Sequence, residues 1–202
     1  RLNQNTMKWH EAESDPELLE LWVADMDFLP VPEIRDAVIN YAETHIFGYP
    51  YPSDELYQSI IDWEKNQHGY SVDKASIVLI EGVVPAISTA IQSFTKEDDA
   101  VLINTPVYPS FARSVRLNNR KLIENSLVKV NGHFEIDFEQ LERDIVDNDV
   151  KLYVFCSPHN PGGRVWTKEE LTMVADLCQK HGVLLVSDEI HQDLALYGNK
   201  HI

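Results

Sequence analysis

Asn160, Asp188 and His191 follow two apolar runs that each stop abruptly at polar residues. The first run, Tyr153-Val154-Phe155-Cys156, leads into Ser157-Pro158-His159-Asn160-Pro161-Gly162-Gly163. The second, Val183-Leu184-Leu185-Val186-Ser187, leads into Asp188-Glu189-Ile190-His191. An amide, a carboxylate and an imidazole brought together can hold a planar nitrogen heterocycle. The carboxylate pairs with a protonated ring nitrogen, and the other two donate to a ring oxygen. Asp188 is the sharpest of the three. A carboxylate at the end of an apolar strand is costly to desolvate without a cationic partner. A close opposite charge shifts a pKa by roughly 1–3 units, or about 1.4–4 kcal/mol, enough to keep such a ring protonated. Read without a ligand, the same Asp188 caps the next helical turn.

Two further segments carry possible chemistry. In Glu81-Gly82-Val83-Val84, Gly82 lets backbone approach a ligand, and the first N–H groups of a helix at Val83 and Val84 suit a phosphate. In Thr105-Pro106-Val107-Tyr108-Pro109, the Tyr108 ring can offer a face to a planar group, or simply pack in a turn. The Thr105-Pro106 and Asn160-Pro161 bonds are open to either isomer. There is no Gly-x-Gly-x-x-Gly, no Walker loop, and no Cys or His cluster with metal spacing. His10, His45, His68, His133, His181 and His201 are scattered and read as surface or packing residues.

The elements that must position these residues alternate. One helix lies between the two apolar runs, so they read as the parallel strands of a βαβ unit. Thr167 and Glu170 form a capping box for that helix, and Gly182 stops it. Upstream, strands are expected at Ile77–Ile80, Ala100–Ile103 and Lys121–Glu124, with a helix after each of the first two. The helix after Gly82 carries Val84, Ile87, Ile91 and Phe94. Asn131-Gly132 between two alternating runs predicts a hairpin, and a helix follows over about 138–146. Pro32 opens a helix running to about His45. Ser53 caps another, bearing Leu56, Ile60, Ile61 and Trp63 and ending near Gly69. Residues 1–30 read as an extended arm. Such alternation means an α/β fold: a mostly parallel sheet with helices on both faces, a three-layer α/β/α arrangement. Ligands of such sheets sit outside the carboxyl ends of the strands, where Asn160, Asp188 and His191 would converge.

Composition is consistent with this reading. With 44% apolar and 25% charged residues over 202 positions, the chain can bury a core. A formal charge of −16 argues against nucleic acid and against anionic membranes as partners. No apolar run reaches membrane-spanning length, and no secretory leader is visible. Cys156 and Cys178 suit a reducing, cytoplasmic setting, while a single disulfide between them stays open. The first residue is Arg1 rather than Met, which implies a trimmed start.

Taken together, Ser157–Gly163 and Ser187–His191 resemble the fold-type I pyridoxal-phosphate enzymes, the class I/II aminotransferase superfamily. Trp22-Val23-Ala24-Asp25-Met26-Asp27-Phe28 and Gly82-Val83-Val84-Pro85 look more specifically like its MalY/PatB-type cystathionine β-lyase branch. The resemblance runs along essentially the whole chain. It implies pyridoxal 5'-phosphate as cofactor, with Val83 and Val84 donating N–H groups to its phosphate. Tyr108 and Ile190 would cover the two ring faces, and Asp188 would pair with the ring nitrogen. Asn160 would bind the ring oxygen and touch the substrate carboxylate. His191 stands where many relatives place a tyrosine on that oxygen. Tyr49 matches a tyrosine lent across a dimer interface to the neighbour's phosphate, and Ala24 and Asp25 line the substrate entrance.

The implied organisation is an N-terminal arm and helix of a small domain over residues 1–47, and a large cofactor-binding domain over 48–202, incomplete at its C-terminal end. The family's Schiff-base lysine lies a few tens of residues past the aspartate. Lys200 is too close to Asp188 to serve, so the chain reads as the N-terminal half of such an enzyme. A sheet edge and apolar faces would then stand uncovered. The implied activity of the intact protein is carbon–sulfur β-elimination from a small sulfur-containing amino acid, in a cytoplasmic homodimer. An aminotransferase on the same site is the second reading. A non-catalytic or regulatory half-fold is the third.

Overall fold

A computed structural model describes residues 5–15 and 17–202. The chain divides into two compact units, Arg1–Pro52 and Ser53–Ile202. In the first, a 3-10 turn at Met7–Trp9 precedes helix α1, Pro32–Thr44, which starts on proline as expected. Residues 1–4 and Pro16 of the expected arm lie outside the described residues. The buried Lys8 ammonium donates to the Asp25 carbonyl and to the Asp27 carboxylate, each at 2.8 Å. A buried ammonium is held in this way only when acceptors surround it. The Asp27 carboxylate also accepts from the Trp9 indole at 2.7 Å.

The second unit opens with α2, Asp54–Trp63, whose first turn is capped by the Ser53 hydroxyl accepting from the Leu56 N–H at 3.3 Å. A π-helical turn, Glu64–His68, closes on Gly69 at φ 73°. There follow α3 (Val83–Phe94), β1 (Ala100–Thr105), α4 (Ser110–Leu117), β2 (Lys121–Ser126), the hairpin β3 (Val128–Val130) and β4 (His133–Glu135), α5 (Phe138–Asp147), β5 (Val150–Cys156), α6 (Lys168–His181) and β6 (Leu184–Asp188). Strands β2-β1-β5-β6 form one sheet in that order, parallel throughout. The hairpin turns on Asn131 and Gly132 with φ of 49° and 87°, the positive values that a two-residue turn of this hand requires.

Alternation along the strands sorts the core into two layers. Leu102, Tyr153 and Phe155 face α5 and α6, packing with Leu141, Ile145, Val174 and Cys178. Val101, Ile103, Leu152 and Val154 face α3 and α4, packing with Ile87, Ile91, Phe111 and Val115. Each fully buried aliphatic side chain contributes about 1.5–3 kcal/mol relative to exposure. The two faces together explain why these strands read as continuous apolar runs. Cys156 and Cys178 belong to opposite layers, and both are free thiols. The Thr167–Glu170 capping box forms, with both reciprocal bonds present, and Gly182 ends α6 at φ 67°.

One expected element is absent. Ile77–Ile80 follows a 3-10 turn at Lys74–Ser76 but pairs with no strand among the described residues, and Val78 is 83% exposed. Apolar β-branched residues supply a preference for extended backbone, but a strand exists only where a partner edge completes its ladder. Among the described residues no helix is long and apolar enough to cross a membrane.

Candidate functional site

Because β1, β5 and β6 are parallel, their last residues, Thr105, Cys156 and Asp188, open on the same edge of the sheet. Cys156 and Asp188 are register partners, and the Ser157 N–H extends the ladder by donating to the Asp188 carbonyl at 2.9 Å. The loop after β1 is tied to the loop after β5, since the Tyr108 N–H donates to the Asn160 carbonyl at 3.1 Å. Val83 at the start of α3, Val107 beside Tyr108, and Val186 in β6 all pack against the same core layer. Tyr108, Asn160 and Asp188 are therefore carried to one end of the sheet by three separate segments, and Val83 packs on the core layer beneath them.

Asp188 is only 8% exposed. One of its carboxylate oxygens accepts the Ile190 N–H at 3.1 Å, the turn-capping bond expected of an aspartate read without a ligand. That bond does not satisfy the charge. Burial pushes the carboxyl above its ordinary range, against the lowering effects of the Ile190 N–H and of nearby His191. Among the described residues no lysine or arginine forms an ion pair with it. A buried, underpaired carboxylate fits a cationic ring nitrogen. At α3, Gly82 holds φ 120°, which a side chain would strain, and no side chain caps the helix's first turn. The N–H groups of Val83 and Val84 thus fit an anionic group. The donor set matches the cofactor implied above.

Asn160 and His191 line one cleft of about 330 Å³ together with Pro158, Leu194 and Tyr197. Val83, Val84, Tyr108 and Asp188 do not line that cleft. Tyr108 is partly exposed and meets Phe111 edge-to-face, with ring centroids 6.3 Å apart. Ile190 is 62% exposed past the end of β6. Ala24, Asp25 and Tyr49 belong to the first unit, and their assignment rests on the resemblance. Thr105-Pro106, Ser157-Pro158 and Asn160-Pro161 are all cis.

Several contacts around the site have no counterpart in the motif. The Asn160 N–H donates to the Cys156 sulfur at 3.3 Å, while burial pushes the Cys156 thiol up to about 11. His159 is 2% exposed, and burial first and the Arg164 charge second hold its imidazole down to about 4. The Trp166 indole donates to the Cys156 carbonyl at 2.8 Å. Of the scattered histidines, His68 meets Asp193 at 2.8 Å, His181 meets Glu142 at 2.8 Å and His201 meets Glu189 at 3.1 Å. Among the described residues no group of His, Cys, Asp and Glu could hold a metal ion. Lys200 lines a separate polar cleft with His68 and Asp193.

A parallel sheet covered on both faces, with its polar residues gathered past the carboxyl ends of the strands, defines an open-sheet α/β ligand-binding domain. Within that class, the chain belongs to the aminotransferase class I and II family, whose profile matches residues 16–201. It is 42% identical to the cystathionine beta-lyase PatB of Bacillus subtilis over 204 residues, covering 100% of this chain and 53% of that protein. Cystalysin of Treponema denticola, a structure containing a pyridoxal 5'-phosphate cofactor, superposes with a TM-score of 0.93 at 38% identity, over 100% of this chain and 52% of that one. The PLP-bound C-S lyase of Staphylococcus hominis does so with a TM-score of 0.92 at 31% identity, over 100% and 52%. The chain spans about half the length of the relatives it matches.

Proposed function

We infer that this chain is part of a pyridoxal 5'-phosphate-dependent carbon–sulfur β-lyase. It would split a small sulfur-containing amino acid such as cystathionine, with water, into a thiol, pyruvate and ammonia. The observation that carries this reading is Asp188, a buried carboxylate at the strand ends with no lysine or arginine ion-pair partner among the described residues, in a chain whose relatives include cystathionine β-lyases. When bound, pyridoxal phosphate supplies an electron sink for negative charge at the substrate's α-carbon. Asp188 holds the proton on the ring nitrogen that makes this sink effective. Asn160 and His191 donate to the ring oxygen, and Asn160 also meets the substrate carboxylate. Val83 and Val84 hold the phosphate through backbone N–H groups, while Tyr108 and Ile190 cover the ring faces. Ala24 and Asp25 flank the substrate entrance, and Tyr49 serves the neighbouring subunit of a homodimer. Two free, buried thiols accord with a cytoplasmic setting.

The test uses the full-length protein supplied with pyridoxal phosphate and cystathionine. Pyruvate and homocysteine in equal amounts are the expected products. A keto acid formed by amino transfer, without pyruvate, would replace the lyase reading with the aminotransferase one. No cofactor absorbance at all would sink both and leave the non-catalytic reading.

A further inference from the structure

We propose that His159 is the positioning residue of this site: as an acceptor buried inside the Ser157–Gly163 turn, it holds Asn160 in place and, through Asn160, the Tyr108 loop. The proposal rests on the reading of Asn160 as a cofactor contact. His159 lies next to Asn160 in the chain and borders the same cleft, yet it is almost wholly buried. Its Nδ1 accepts the Gly162 N–H at 3.2 Å, so the hydrogen of the neutral ring sits on Nε2. Nε2 is buried without a hydrogen-bond partner among the described residues, and the ring stands edge-to-face with Trp166 at 5.7 Å between centroids. A polar ring kept in such a place must do something there that an apolar one would not. That task is acceptance of the Gly162 N–H.

Gly162 is fitted to the same ring. Unlike Gly163, whose φ is 63°, it does not adopt a positive φ, so backbone freedom does not explain it. Space does. A Cβ at Gly162 would stand 2.7 Å from His159 Nδ1 and 3.1 Å from the Phe134 ring. The turn is also anchored on both sides of the ring. The His159 N–H donates to the Arg164 carbonyl, and the Gly163 N–H donates to the His159 carbonyl, both at 2.8 Å. Asn160 leaves this rigid plug with its N–H on the Cys156 sulfur and its carbonyl on the Tyr108 N–H. Loosening His159 therefore frees Asn160 and Tyr108 together, on two different loops.

The test compares His159→Phe, which keeps a ring and removes the acceptor, with His159→Asn, which keeps an acceptor near Nδ1, both in the full-length protein. Without cofactor, amide hydrogen exchange at Tyr108 should quicken about tenfold or more in His159→Phe, while Leu102 in β1 is unchanged. His159→Asn should largely restore the wild-type rate. With pyridoxal phosphate bound, His159→Phe should move the pH midpoint of the visible band in the same direction as Asn160→Ala. The double variant should be no worse than Asn160→Ala alone. Unchanged exchange at Tyr108, or losses that add in the double variant, would overturn the proposal. Should His159→Phe not fold, Gly162→Ala replaces it, and unaltered Tyr108 exchange there is equally fatal. If the wild type shows no cofactor band, the lyase reading fails and the exchange data still decide the role of His159.

Discussion

At Asp188 a single side chain has two competing demands. Its oxygen caps the turn at Ile190, as a structural aspartate would, but its burial raises the free energy of the ionised form. A cationic ring nitrogen would relieve that, and the relief is the same interaction that keeps the ring protonated. Asp188→Asn keeps an oxygen for the Ile190 N–H and removes the charge. The expected result is a bound cofactor whose ring nitrogen loses its proton, with kcat for elimination lowered by about 10- to 1000-fold, the factor equivalent to 1–3 pKa units. Steady-state kinetics together with the ultraviolet–visible spectrum would check it; near-normal kcat would remove Asp188 from the chemistry. The motif Ser187–His191 made Asp188 a candidate. That its carboxyl is held above the ordinary range depends on the strands packed around it, which no local stretch specifies.

Among the elements, helix α6 links the two strands that carry the site. Its start is written locally: Thr167 accepts from the Glu170 N–H at 3.2 Å, and the Glu170 carboxylate accepts from the Thr167 N–H at 2.8 Å. Glu170 is also gripped by Arg164 at 2.7 Å, and the Arg164 guanidinium lies over the Trp166 ring. Thr167→Ala should lower stability by about 1 kcal/mol, read as a shift in urea midpoint at unchanged m-value. A shift within error would mean the Arg164–Glu170 pair alone sets this helix end. The β1, β2 and β5 strands are joined less visibly. Tyr153 donates to Asn104, Asn104 to Asn125 at 3.0 Å, and Asn125 to Asp144 of α5 at 2.8 Å. These residues lie on four elements, so no sequence window could have brought them together.

For the whole molecule, the buried imidazole of His159 links stability to pH. The unfolded chain binds a proton near the ordinary value of 6.5, and the folded chain binds it only near about 4. Between those values the unfolded state holds more protons, so stability is full above 6.5 and falls as pH drops toward 4. The full loss is about 3 kcal/mol. Asp188, with its raised carboxyl, acts in the opposite sense: its contribution is present below the ordinary 3.8 and is lost as pH rises through the folded value. Urea unfolding of the cofactor-free protein at pH 7 and pH 4.5 isolates the histidine when wild type is compared with His159→Asn. The variant should lose less stability across that interval, and equal losses would contradict a buried neutral His159.

Several elements follow from local signals alone. Pro32, Ser53, the Thr167–Glu170 box, Gly182 and Asn131-Gly132 act through backbone angles and hydrogen bonds within a few residues, so they work wherever the chain goes. The sequence also marked Asn160, Asp188 and His191, because polar residues that interrupt apolar strands stand out along one dimension. Tertiary structure decided the rest. Ile77–Ile80 has strand-like residues and no ladder among the described residues, because a ladder needs an edge supplied from elsewhere. His159 looks like one more loop histidine until Trp166, Gly162 and Arg164 enclose it. Burial and the charge states it permits are sums over neighbours distant in sequence, and those sums exist only once the chain has folded.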